Sequence, residues 1–140
     1  MKQRFRAWIK TEKCFADFIE TIRYYSKEID LCWGGICESD CFDFEDVVFT
    51  KSTDFEDDLG DELFENDIIL WTYCDEFEDS GKAKIIFKDG MFKLIDIKTG
   101  EEVWDNLFDC IENCNVYLQG NIYENPEYDQ NFVGFRIEGE

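Results

Sequence analysis

Histidine is absent from this chain of 140 residues. That removes the side chain most often used as a general base or metal ligand near neutral pH. No Ser-His or Cys-His nucleophile can be assembled, and no mixed Cys/His zinc site. Proline occurs once, at Pro126, and no repeat or Pro/Gly/Ser-rich linker divides the sequence. Residues 1–140 therefore read as one domain, with 128–140 as a C-terminal extension. A chain of this size buries roughly two-thirds of its unfolded surface. Long apolar runs are also missing: the strongest, Ile68-Ile69-Leu70-Trp71, is far too short to span a bilayer. The opening Met1-Lys2-Gln3-Arg4-Phe5-Arg6 carries charge where a signal peptide needs an apolar run. A cytoplasmic protein without membrane contact is expected. There is no Walker loop, and Cys32-Trp33-Gly34-Gly35 lacks the spacing of a dinucleotide fingerprint.

Basic residues are scarce, 14 against 34 acids, for a net charge of −20. Between Glu38 and Asp79 only Lys51 is basic, while the same stretch holds seventeen carboxylates. Nucleic acid is thereby excluded as a direct partner, because that affinity comes from Lys and Arg neutralising phosphates. A surface of such charge attracts cationic proteins instead. The first thirteen residues run the other way, at net +4.

What is present is ample apolar material. Hydrophobic residues make up 44% and aromatics 17%, too many for a disordered chain. Seven cysteines, an odd number without a secretion signal, read as reduced thiols acting mainly as small buried apolar groups. Cys32, Cys37 and Cys41, with Cys110 and Cys114, only loosely resemble zinc-knuckle spacing, so no metal is expected. Counted from Asp54 as first position, Glu56, Asp58, Glu62 and Glu65 fall where a calcium loop has ligands. Leu59 occupies the position that needs glycine, and Gly60 comes one residue late, so a solvated charged turn is expected. Paired carboxylates of a glycosidase kind carry no information among so many acids. The chain is expected to have no cofactor and no enzymatic activity.

Turn signals separate short β-branched and aromatic runs. Residues 4–9, 46–50, 67–73, 82–88, 91–96, 116–119 and 132–137 read as strands. Asp89-Gly90 is a favoured two-residue hairpin connection. Residues 57–61 read as a turn and 75–81 as a charged loop; 14–29 fit either a helix or a strand. Asp105 is the expected cap of a short helix burying Leu107, Phe108 and Ile111. These signs predict a mostly β fold, a small barrel- or sandwich-like single domain with at most one or two short helices.

Three segments carry a family resemblance. Arg4-Phe5-Arg6-Ala7-Trp8 opens it. Ser52-Thr53 is followed by Gly60-Asp61-Glu62-Leu63-Phe64-Glu65-Asn66-Asp67-Ile68-Ile69, and Gly120-Asn121-Ile122-Tyr123-Glu124-Asn125-Pro126-Glu127 closes it. Together they resemble the YopX family of phage and prophage proteins, the last segment without a mismatch. Asn66 and Asp54 stand where the family commonly has glycine, and Asp57 to Leu59 replaces a basic-containing turn. The resemblance implies strands over 14–29, a β-rich fold, a phage or prophage origin and residence in a bacterial cytoplasm. It implies no activity and transfers no catalytic residue.

The charge map supplies the functional expectation: carboxylates on a folded surface that imitate nucleic acid and dock on a basic host protein, such as a defence nuclease or CRISPR effector. The partner-binding candidates are Asp54, Phe55, Glu56, Asp57, Asp58, Asp61, Glu62, Glu65, Asp75, Glu76, Phe77, Glu78 and Asp79. The aromatics among them would be the apolar anchors that an interface needs. The competing class is a structural or assembly protein, a homo-oligomer pairing through an edge strand of Phe132, Val133, Phe135 and Ile137.

Overall fold

The computed structural model describes residues 5–35, 38–73 and 76–128, with the side chains of 76–78 left aside. Its backbone gathers into two compact units, Met1–Ser52 and Thr53–Glu140. Both are built almost wholly of antiparallel strands, as the run of short β-branched segments predicts.

In the first unit, β1 (Phe5–Ile9) pairs with β2 (Cys14–Phe15) on one side and with β6 (Val47–Glu56) on the other. A second sheet is the meander β3 (Phe18–Arg23), β4 (Glu28–Cys32) and β5 (Ser39–Asp43). The ambiguous stretch 14–29 is thus extended, as the family resemblance implies. Both sheets send side chains into one core: Ala7, Ile9 and Val47 from one, Ile29 and Leu31 from the other. That two-layer arrangement is sandwich-like. Asp46 ends a 3-10 turn (Phe44–Asp46), so the predicted strand starts one residue later. On the meander, Arg23 grips both oxygens of Asp30 at 2.7 and 2.9 Å, which holds that carboxyl below its usual range.

The second unit takes over β6 at Thr53 and adds β7 (Glu62–Phe64), β8 (Asp67–Tyr73), β9 (Glu76–Lys88), β10 (Met91–Asp96), β11 (Glu102–Val103), helix α1 (Leu107–Asn113) and β12 (Cys114–Asn121). Its main sheet has the order β11-β10-β9-β8-β12. Opposed residues such as Ile69 and Ala83, or Leu94 and Ile85, project to one face. There Leu63 of β7 and Leu107 and Cys110 of α1 cover them as a common core. The Asp89-Gly90 hairpin forms as predicted, with both residues at positive φ (56° and 80°).

Two local expectations are corrected. Residues 76–81 are not a loop but the first half of β9, because their backbone joins the ladder to β8 through Tyr73↔Glu76, Thr72↔Ser80 and Trp71↔Gly81. Helix α1 is capped by Asn106, not Asp105: Asn106 Oδ1 accepts from Asp109 N at 2.8 Å. Leu107 and Cys110 form its buried side, whereas Phe108 is 54% exposed. The predicted strand 132–137 lies outside the described residues. Among the described residues no helix is long and apolar enough to cross a membrane.

Candidate functional site

The acid-rich stretch divides between the units: five of its carboxylates precede Ser52 and twelve follow Thr53. The candidates from Asp54 to Glu65 fall in the second unit, around the turn that joins β6 to β7, and those from Glu76 to Asp79 fall at the start of β9. Thr53 builds the base of this turn. Its buried hydroxyl donates to Leu63 O at 2.8 Å and accepts from Phe55 N at 3.1 Å, tying the end of β6 to β7. Asp54 sits at φ 66°, a left-handed conformation that glycine adopts freely and Asp or Asn tolerate best among other residues. Asn66, at φ 70°, is the same case. Both positions where the chain departs from the family's glycine are therefore left-handed, and both carry the substitutes with the smallest steric penalty.

Asp54, Glu56, Asp58 and Asp61 are exposed, while Glu62 and Glu65 are half-buried. Phe55 is half-buried, packed on the core with its ring 5.8 Å from that of Phe108. Asp57 departs from the expected role. It is buried, with Oδ1 accepting from Leu59 N and Asp61 N at 3.0 and 2.8 Å and Oδ2 accepting from Leu118 N at 2.8 Å. A carboxylate committed to three backbone donors organises the turn and offers nothing to a partner. Asp58 N, next in sequence, donates to Val116 O at 2.9 Å, so the turn is stitched to β12 twice. Asp79 is exposed on β9. Asp75 lies outside the described residues, as do the side chains of Glu76, Phe77 and Glu78.

The calcium-like spacing of 54–65 does not translate into a calcium loop, since strands β6 and β7 flank it and Asp57 draws the turn inward. Cys110 and Cys114 are neighbours in the core, and burial, with Cys114 beside it, pushes the Cys110 thiol up, so it stays protonated. Among the described residues no three His, Cys, Asp or Glu side chains are grouped to hold a metal ion. Cys37 and Cys74 lie outside them.

The closing segment 120–127 proves architectural. Asn121, buried, accepts from Tyr123 N and Glu124 N at 3.0 and 2.8 Å and donates to Glu124 Oε1 at 2.8 Å. A side chain on Gly120 would collide with Asn125 Oδ1, which already accepts from Asn121 N. Asn66 then donates to the Tyr123 hydroxyl at 2.9 Å, linking this terminal turn to the β7–β8 connection. The motif is legible in the sequence but this job is not, because the partners lie 57 residues apart.

Comparison with known proteins bears on the same segments. The family described as YopX protein matches residues 4–128. Among solved structures, protein EF1440 from Enterococcus faecalis shares 24% identity, with a TM-score of 0.59 over 89% of this chain and 95% of that one. The yopX protein from Bacillus subtilis shares 17% identity, with a TM-score of 0.59 over 91% of this chain and 98% of that one. Among curated proteins no sequence relative was found.

Proposed function

Because the chain belongs to the YopX protein family, over residues 4–128, and presents an acidic turn, we propose that it is a non-catalytic accessory protein of phage or prophage origin. It docks through that turn on a basic, nucleic-acid-binding host protein and inhibits or modulates it. One observation carries the reading: Asp54, Glu56, Asp58 and Asp61 are exposed around a single turn, in a segment with no Lys or Arg between Lys51 and Lys82.

Asp57 and Thr53 brace the turn through backbone bonds, so the exposed carboxylates sit on a rigid mount rather than a solvated tail. A preorganised row of like charge also steers a cationic partner and speeds association at low salt.

The test is affinity capture from bacterial lysate at low and high ionic strength, using the wild-type chain and a D54N/E56Q/D58N/D61N variant. Basic proteins that bind nucleic acid should be retained by the wild type at low salt, released at about 0.5 M salt, and missed by the neutralised variant. Equal retention by both proteins would overturn the reading, as would the absence of any basic protein at low ionic strength.

A further inference from the structure

The second unit holds an open cleft of about 410 Å³ whose described lining is Trp71, Tyr73, Asp79, Trp104 and Asn113. Three of these described residues are aromatic, and the way they are held is unusual. Trp71 lies across the strand from Gly81, and a Cβ added to Gly81 would come within 3.1 Å of the indole. The missing side chain is what lets the indole approach β9 so closely. Trp104 stands at φ 60°, a left-handed conformation that is a genuine outlier for so bulky a residue. Strain of this kind persists where surrounding structure enforces it and concentrates at functional sites. It sets the Trp104 ring 5.4 Å from Trp71, edge to face at 86°, and 6.1 Å from Tyr73. Tyr73 remains 40% exposed.

The polar lining completes the chemistry. Asp79 is exposed and anionic. Asn113 donates its amide N–H groups to Asp109 O at 2.8 Å and Asp109 Oδ1 at 3.4 Å, so the hydrogen-bonding capacity it has left is that of an acceptor. The Trp71 Nε1 is buried and lies near Gly81, leaving ring carbon as that residue's contribution to the opening. Among the described lining residues none is basic. Aromatic faces carry negative electrostatic potential and attract cations, and a carboxylate with an amide oxygen adds acceptors. Anionic ligands are repelled by such a lining, and a purely apolar ligand would desolvate Asp79 without return. Among cations, the guanidinium is planar and weakly hydrated; it stacks on aromatic rings and forks onto a carboxylate.

We propose that this cleft is a receptor for an arginine side chain, formed by Trp71, Tyr73 and Trp104 with Asp79 as counter-ion. The inference deepens the docking reading and rests on it for the source of the arginine, a basic partner, but the cleft's own selectivity can be measured without that partner.

The experiment titrates the full chain at low ionic strength with N-acetyl-arginine amide, followed by tryptophan fluorescence and by the indole N–H signals of Trp71 and Trp104. The neutral isostere N-acetyl-citrulline amide is the control. Expected are saturable shifts at both indoles, with a dissociation constant on the order of millimolar. The citrulline probe should bind about ten-fold more weakly. D79N alters an exposed side chain and should keep the melting temperature, and D79N and Y73A should each weaken the arginine probe about five-fold. No saturable shift, equal binding of the two probes, or indifference to both variants would overturn the cleft's assignment. The two readings fail separately. If the arginine probe binds but lysate capture ignores the D54N/E56Q/D58N/D61N change, the cleft stands and the acidic turn falls; the reverse pattern leaves the turn and removes the cleft.

Discussion

Asp57 shows how much one residue decides in a stretch crowded with acids. Seven carboxylates lie between Asp54 and Glu65, yet this one is drawn inward, its two oxygens shared among Leu59 N, Asp61 N and Leu118 N. In D57N one oxygen becomes an NH2 group, which would face a backbone donor instead of accepting from it. Leaving a buried donor unmatched typically costs about 1–3 kcal/mol, so D57N should lower stability by about 2 kcal/mol in urea denaturation. D58N, one position on and exposed, should stay within about 0.5 kcal/mol of wild type. Equal effects at the two sites would show that the turn does not depend on this carboxylate. The sequence marks 57–61 as a turn through its Asp and Gly content. It cannot mark which Asp turns inward, because the deciding donor, Leu118 N, is 61 residues away.

Elements were legible where a local rule governs them. Alternation of buried and exposed positions and the Asp89-Gly90 turn announce the β9–β10 hairpin, and Lys88 and Lys93 then pin Glu102 of β11 to its far side at 2.9 and 3.4 Å. Those two ammonium groups hold the Glu102 carboxyl below its usual range. Elements were misread where tertiary pairing outvotes composition. The acid-rich start of β9 looks like loop, but its backbone pairs with β8 at Glu76, Ser80 and Gly81. Helix α1 is the opposite case, with its position right and its cap displaced by one residue. N106A should cost about 1 kcal/mol through loss of the bond to Asp109 N, whereas D105A should be nearly neutral. A larger loss in D105A than in N106A would reverse the assignment.

At the scale of the whole molecule, a net charge of −20 on 140 residues opposes compaction. Ion pairs relieve it only locally, as where Arg23 meets Asp30 and Glu28. Raising NaCl from about 20 mM to about 300 mM shortens the screening length enough to quiet most surface repulsion, so the melting temperature at pH 7 should rise by a few degrees. The D54N/E56Q/D58N/D61N variant should show a smaller rise, since it starts with less repulsion to screen. A melting temperature indifferent to salt in both proteins would mean that the carboxylates are too dispersed to strain the fold.

The amino-acid sequence by itself determined the β-rich class, the hairpin at Asp89-Gly90, the family and the sign of the surface, because each depends on residues close in the chain or on simple sums of charge. Tertiary structure alone decided that Asp57 faces inward, that Asn66 meets Tyr123, and that Trp71, Tyr73 and Trp104 share one cleft with Asp79. Those groupings rest on strand register between distant segments. A register shifted by a single residue would turn every side chain of the strand to the opposite face.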